Sequence, residues 1–213
     1  MQLKIDFHVH TCYSHDSVIT PKELVFYAKK HGLDSVAITD HDTIEGALKI
    51  AKETSFPIIV GMEISSKDGH VLGLNIQEPI PRGLSADETV DRIHGAGGIA
   101  VACHPTALFK GSLGKNAGSK FDAFEVVNSS AIPFGCLVKK NRKIASKLGI
   151  AQVAGSDAHY SPEIGCAYTL VEAGLKVEEI IEAVRRGLCQ PFGRAIPLTL
   201  RLKREALTLK RKW

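Results

Sequence analysis

Short β-branched runs alternate with helix-like stretches along most of this 213-residue chain. No other feature narrows the possible folds as much. "LKIDFHV" reads as a strand, with Leu3, Ile5, Phe7 and Val9 alternating against Lys4, Asp6, His8 and His10. A helix follows from about Pro21 to His31, with Thr20 as its N-cap, Pro21 at the first position, Glu23 in the first turn and Gly32 ending it. "SVAIT", "FPIIVGMEI", "HVLGLNI", "IAVACH", "AFEVVN", "AQVAGSD" and a last strand, "AYTLVEA", continue the pattern. Helices are expected near "IEGALKIAKET", "DETVDRIHGAGG", "CLVKKNRKIASKLG" and "VEEIIEAVRRG". Such an alternation builds a mainly parallel α/β sheet with helices outside. Seven or eight strands before about residue 195 suggest a closed or nearly closed barrel. A doubly wound open sheet is the alternative.

The chemistry-bearing residues share one position in this pattern. "SVAIT" leads into Asp40-His41-Asp42, "PIIVGMEI" carries Glu63, "IAVAC" ends in His104, "AFEVV" in Asn128, and "AQVAGS" in Asp157 and His159. In α/β barrels the site is built at the carboxyl ends of the strands. His70 begins its run, so it reaches the same end only if "HVLGLNI" returns antiparallel after the turn residues of "EISSKDG". The opening "DFHVHTCYSHD" concentrates His8, His10 and His15 beside Asp6 and Asp16. Alternate residues of a strand face the same side, so His8 and His10 can hold one ion together. Six of the nine histidines, with Asp16, Glu63 and Asp157, form a nine-ligand set. Mixed imidazole and carboxylate donors suit Zn, Mn or Fe, with Mg less suited. Nine donors exceed the needs of one ion, and a bridging carboxylate is the usual way to hold two. Scattered polar loop residues would not recur so regularly after β-branched runs.

Composition removes other classes. The five cysteines are widely spaced and lack a C-x-x-C pair, which argues against a disulfide framework or a cysteine zinc site and fits a reducing cytoplasm. No signal peptide is expected, because Lys4 and Asp6 interrupt the start, and no apolar run is long enough to span a bilayer. The net charge is +4, yet residues 201–213 carry six Lys/Arg and one Glu, so the rest of the chain is near neutral. That tail reads as a solvated terminal helix or extension, and could touch nucleic acid or anionic lipid.

The stretches "DFHVHTCYS", "SVAITDHDT", "GMEIS", "HVLGL", "CHP", "EVVN", "GSDAH" and "IGCAYTLV" together resemble the polymerase and histidinol phosphatase (PHP) family of metal-dependent phosphoesterases. The resemblance implies a distorted (β/α)7 barrel and two or three divalent ions; the hydrolase domain is expected over residues 1–195, with the basic C-terminal extension over 196–213. It implies a first ion on His8, His10, Glu63 and Asp157, and a second on Glu63, His70 and His104. A third would lie on Asp16, His41 and His159. Asp16 is preferred to His15 for its spacing to "TPKEL". Asp6 is expected to orient His8 or a water, or to be a plain strand-end residue. Cys103, the strand residue before His104, is expected to point away from the site.

The implied chemistry is hydrolysis of a phosphate ester by metal-activated water, with Glu63, Asp157 and His159 at its centre and His159 or His41 as possible proton donors. Lys139, Lys140 and Arg142 read as a solvated helix face. Between His70 and His104 stand 33 residues, without the helical insertion that covers the substrate in some nucleotide-hydrolysing relatives. A minimal open site for a small-molecule or nucleotide phosphate is therefore expected. The alternatives are a nuclease of oligonucleotide ends using the basic tail, a histidinol-phosphate phosphatase, or a metal-binding scaffold.

Overall fold

The computed structural model describes residues 1–108 and 110–211. In chain order the elements are β1 (Gln2–Val9), α1 (Pro21–Lys30), β2 (Ser35–Ile38), α2 (Glu45–Glu53), β3 (Ile58–Ser65), β4 (His70–Leu74), α3 (Ala86–Gly95) and β5 (Ile99–Ala102). They continue with β6 (Ala123–Asn128), α4 (Phe134–Leu148), β7 (Ala151–Gly155), β8 (Ala167–Glu172), α5 (Val177–Arg185), β9 (Cys189–Gly193) and α6 (Leu198–Arg211).

The strands form one sheet in the order β7-β6-β5-β4-β3-β2-β1-β8-β9. Pairing is parallel from β1 to β3 and from β5 to β7, while β4 runs antiparallel to both neighbours. Ser65 pairs with His70 across the β3–β4 hairpin, so His70 does arrive at the carboxyl end of β3. The barrel closes beyond β7: Asp157 N donates to His8 O at 2.8 Å, and His10 N to Ala158 O at 3.0 Å. Lower down, β8 pairs antiparallel with Gln2–Ile5 of β1. Thr169 Oγ1 of β8 accepts from Ala154 N of β7 at 2.8 Å, filling the wedge between the two strands. The result is a nearly closed, barrel-like α/β fold.

Two apolar layers surround this wall. Leu3, Ile5, Phe7, Leu72, Val101 and Val153 fill the interior. Ile180, Ile181 and Val184 of α5 join that cluster, and Arg185 Nη2 donates to Gly98 O just before β5 at 3.0 Å, so α5 closes the amino-terminal end of the barrel. Outside, Leu24, Ile38, Ile50, Val90 and Phe124 pack helices against strands. Thr20 and Glu23 cap α1 reciprocally, as their spacing predicts: Glu23 N donates to Thr20 Oγ1, and Thr20 N to Glu23 Oε2. The chain then leaves α1 through Gly32, at φ +66°.

Two features depart from the sequence reading. "AYTLVEA" is followed by one more strand, β9, whose Pro191 and Gly193 disguise it. Proline is tolerated there because β9 sits at the end of the sheet order and pairs only with β8. The second is a register break in β1 between Asp6 and Val9, where one extra residue enters relative to β2. Leu3, Ile5 and Phe7 face the interior, whereas Val9 packs in the outer layer. Strict alternation over "LKIDFHVH" would have sent His8 and His10 out toward the helices. The bulge reverses the parity and turns both into the barrel mouth.

Candidate metal centre

Glu63 is the hub of the mouth, and it is only 1% exposed. One carboxylate oxygen, Oε2, lies 3.0 Å from both His8 Nε2 and His10 Nε2, and 3.6 Å from His41 Nδ1. The other, Oε1, lies 2.6 Å from His70 Nδ1 and 2.9 Å from His104 Nε2. Asp157 Oδ1 adds to the first side, 3.7 Å from His8 Nε2 and 3.5 Å from His10 Nε2. Asp16 Oδ2 stands across the mouth, 3.0 Å from His159 Nε2 and 3.4 Å from His41 Nε2. All nine residues singled out in the sequence are thus brought together. Their tightest groupings cut across the expected partition: His10 also groups with Asp16, His41 and His159, and His41 with Glu63 and His70. His15 is exposed and lies beside His41 at a ring separation of 5.4 Å, outside every grouping among the described residues.

The local backbone explains how loop residues reach one point. The chain beyond β2 continues to pair with β3, with Asp42 N donating to Glu63 O at 2.9 Å and Glu63 N to Asp40 O at 3.2 Å, so His41 is held against Glu63. His104 and Asp157 take left-handed conformations, φ +31° and +54°, unusual for residues that are not glycine and concentrated at sites whose surroundings fix them.

The electrostatics follow from burial of opposite charges. Burial alone would lower the His8 pKa, but Asp157, Glu125 and Glu63 reverse this and hold it well above the ordinary imidazole range. Burial would likewise raise Glu63, yet His8, His10, His104 and His70 hold it well below the usual carboxylate range. Asp157 behaves in the same way through Lys110 and His8. Asp16 is also driven down against its burial, chiefly by His159 and His41.

A cation fits this donor set. Clustered imidazoles and carboxylates match the preferences of Zn, Mn or Fe. Asp16 Oδ1 is buried with no hydrogen-bond partner among the described residues, a group that a cation would satisfy.

Three residues near the centre were missed or misplaced in the sequence. Glu125 sits inside the "EVVN" stretch, yet only Asn128 was singled out there. Its Oε1 meets His8 Nδ1 at 3.0 Å, while Oε2 accepts from His104 N at 2.6 Å and Asn128 Nδ2 at 2.9 Å. Glu125 therefore fixes the His8 ring so that Nε2 faces Glu63. Asp6 holds backbone instead: it accepts from Ser156 N, Gly165 N and His8 N, and burial pushes it up to about 6. Lys110, in the loop after β5, ion-pairs with Asp157, and no spacing rule pointed to it.

Cys103 does not point away from the site, as alternation from His104 had suggested. It lies in the interior layer with Val101, its Sγ 3.7 Å from Glu63 Oε1. The left-handed turn at His104 breaks the alternation, so both residues approach Glu63. Burial pushes the Cys103 thiol up, and the carboxylates of Glu63, Glu125 and Asp157 add to this, which leaves it a poor nucleophile. Lys139 and Lys140 are exposed on α4, and Arg142 donates to Pro191 O at 2.9 Å, away from the centre. His31 meets Ile164 O and His94 meets Asp122, also elsewhere.

The role of Glu125 yields an expected result. Glu125→Gln keeps the shape but loses the charge on the His8 ring, and metal affinity should fall about 10- to 100-fold, as for other partners that orient a ligand. Competition titration against a chelating dye measures this, and unchanged affinity would remove Glu125 from the centre.

A family model described as the PHP domain matches residues 6–108, and a second, described as PHP-associated, matches residues 139–189. An uncharacterized protein of Methanocaldococcus jannaschii is 38% identical over 141 residues, covering 60% of this chain and 82% of that protein. A 5′-3′ exoribonuclease of Haemophilus influenzae is 40% identical over 89 residues, but those cover 38% of this chain and 32% of the exoribonuclease. Among solved structures, the fold matches a two-domain protein of Bacteroides vulgatus described as containing a predicted PHP-like metal-dependent phosphoesterase. The TM-score is 0.75 at 17% identity, over 91% of this chain and 65% of that one. PsfC of Pseudomonas syringae matches with a TM-score of 0.72 at 18% identity, over 98% of each chain.

Proposed function

The chain belongs to the PHP family of metal-dependent phosphoesterases, and from that premise we propose that it hydrolyses the phosphate ester of a small molecule or nucleotide. The observation that carries this reading is the single buried carboxylate, Glu63, touching five histidines with its two oxygens split between them. A bridging carboxylate of this kind suits a pair of divalent ions. We assign His8, His10, Glu63 and Asp157 to one ion, Glu63, His70 and His104 to a second, and Asp16, His41 and His159 to a third. When bound, divalent ions supply Lewis acidity and a water acidic enough to be deprotonated near neutral pH.

The protein's own groups do the rest. Glu125 and Ser14 hold the rings of His8 and His10 in place, Ser14 Oγ lying 3.4 Å from His10 Nδ1. Lys110 brings a fixed positive charge to the mouth, where it can draw in a phosphate. His159 has its Nδ1 at 3.0 Å from Asp157 O, which fixes the ring and presents Nε2 toward Asp16 at the cleft. When the third ion is not bound, that Nε2 is free to pass a proton to the leaving oxygen, and we prefer His159 to His41 for this role because it also borders the larger cleft beside the centre.

We treat residues 1–195 as the hydrolase domain and 196–213 as its extension. No described helix is long and apolar enough to cross a membrane. No disulfide joins cysteines among the described residues, in keeping with the reducing, cytoplasmic location we propose. A nuclease reading is the second choice; it draws on the exoribonuclease relative and on the basic α6.

The test is hydrolysis of p-nitrophenyl phosphate and bis-p-nitrophenyl phosphate by metal-stripped protein, with Mn, Zn, Fe or Mg restored. The expected result is turnover that requires added metal and disappears in a His104→Ala/Asp157→Asn double variant. Metal binding without turnover of either ester would remove the phosphoesterase proposal for simple substrates.

A further inference from the structure

Beside the metal centre lies a second and larger cleft of about 700 Å³, against about 320 Å³ for the cavity over the centre itself. The two share Asp16, Lys110 and His159, so they open into one another across the proposed third ion and proton donor. One wall of the larger cleft is α6, through Arg201, Arg204, Glu205 and Thr208. The other is loop backbone bearing Leu108, Ile132 and Pro133.

The two arginines differ in what they already hold. Arg201 is committed to the fold: Nε donates to Ile196 O at 3.1 Å, Nη1 to Ser130 O at 2.9 Å and Nη2 to Ser129 O at 2.9 Å. It ties α6 to the loop that follows β6. Among the described residues Arg204 has long contacts only, 3.5 Å from Nη1 to Glu163 Oε1 and 3.4 Å from Nη2 to Glu205 Oε1. Its planar fork lines the cleft, in a geometry suited to a carboxylate or a phosphate. Opposite it, Leu108 is 67% and Ile132 62% exposed, large apolar surfaces left bare at the edge of an otherwise charged site. A cleft of this size with one apolar wall and a few placed charged groups is a usual form of small-molecule subsite.

We infer that this cleft receives the leaving group, and that it selects phosphate esters whose leaving group joins an apolar body to a second anionic group bound by Arg204. The inference rests on the phosphoesterase reading for the word "leaving group", but the binding site itself does not. The shared chemistry is a planar or tetrahedral anion, carboxylate or phosphate, carried by the leaving group on the side away from the phosphorus. Glu205 opposes an anion there, which favours ligands that reach the Arg204 fork directly.

The experiment is calorimetric titration of the Mn-loaded full chain with three non-hydrolysable probes: phenylphosphonate, 4-carboxyphenylphosphonate and 1,4-phenylenebisphosphonate. At least one probe with a second anion is expected to bind about tenfold or more tightly than phenylphosphonate, the size of one hydrogen bond to a charged group. Whether the carboxylate or the second phosphonate gains more identifies the anion. Arg204→Gln should bring that ratio close to one, and Arg204→Lys should retain part of it. Equal binding of all three probes overturns the inference, as does a preference that survives Arg204→Gln. Manganese content of the variants is measured in parallel. Glu163 also accepts from His159 N at 3.0 Å, so a merely structural Arg204 would lower metal content and leave the probe ratio unchanged, which also overturns it. If the probes discriminate but no ester is hydrolysed, the anion subsite stands and the phosphoesterase reading fails.

Discussion

Glu63→Gln is expected to leave a folded protein that has lost its metal centre. The substitution preserves volume at a position 1% exposed, so packing is kept, while the charge facing five imidazoles disappears. A neutral amide cannot bridge two cations, so metal affinity should fall by well over the roughly hundredfold that accompanies loss of a partner one shell out. Hydrolysis should fall by about a thousandfold or more, matching the several kcal/mol that metal ions contribute to charge stabilisation. Elemental analysis after dialysis gives the first quantity and ester turnover the second. Wild-type metal content in the variant would take Glu63 out of the centre altogether. Glu125→Gln is the comparison: it should weaken binding without abolishing it, because Glu125 holds a ligand and is not one of the nine.

The second large effect concerns stability. A Cβ built on Gly155, at the end of β7, would lie 2.3 Å from His8 Cβ, 2.7 Å from Glu125 Oε1 and 2.9 Å from His8 N. The obstacles are backbone, the root of a side chain and a carboxylate held by three partners, and none can swing aside. Gly155→Ala should therefore cost about 3 kcal/mol, the upper end for overpacking, and lower Tm by about 6–12 °C for a chain of this length. Gly118→Ala is the control, since nothing lies within 4 Å of its Cβ, and it should change stability by less than about 1 kcal/mol. Thermal melts of the two variants decide it. A Gly155→Ala protein that melts with the wild type would mean that β1 and β7 are not closed against each other as described.

Much of this was legible in the sequence for physical reasons. β2 and β5 are buried runs bounded by turn residues, and α1 carries its own capping signals, so local chemistry and the final fold agree. Ligand candidates such as Glu63, His104 and Asp157 could be named because barrel strands deliver their carboxyl ends to one place, whereas Asp16 and the division among ions rested on the resemblance to the PHP family. What was illegible depends on register. The bulge in β1 sets which way His8 and His10 face, and no residue type marks it. The left-handed backbone at His104 puts Cys103 next to Glu63 against simple alternation. Glu125 and Lys110 act through partners distant in sequence, and only the folded chain shows what they touch. β9 hid behind its proline, because a strand paired on one side alone can carry a residue that an inner strand cannot.

The placement of α5 across the amino-terminal end of the barrel has a consequence for traffic. With that end plugged by Ile180, Ile181 and Val184, the described residues leave the opposite end as the way in to the centre. The doorway is the mouth where Asp16, Lys110 and His159 stand. Whatever occupies the mouth sits over whatever lies deeper, so ions are expected to load before a substrate and to leave after the products, an order that metal release measured with and without bound phosphonate checks. Occupancy in such a vessel is a stack, last in and first out, and its order follows from having a floor.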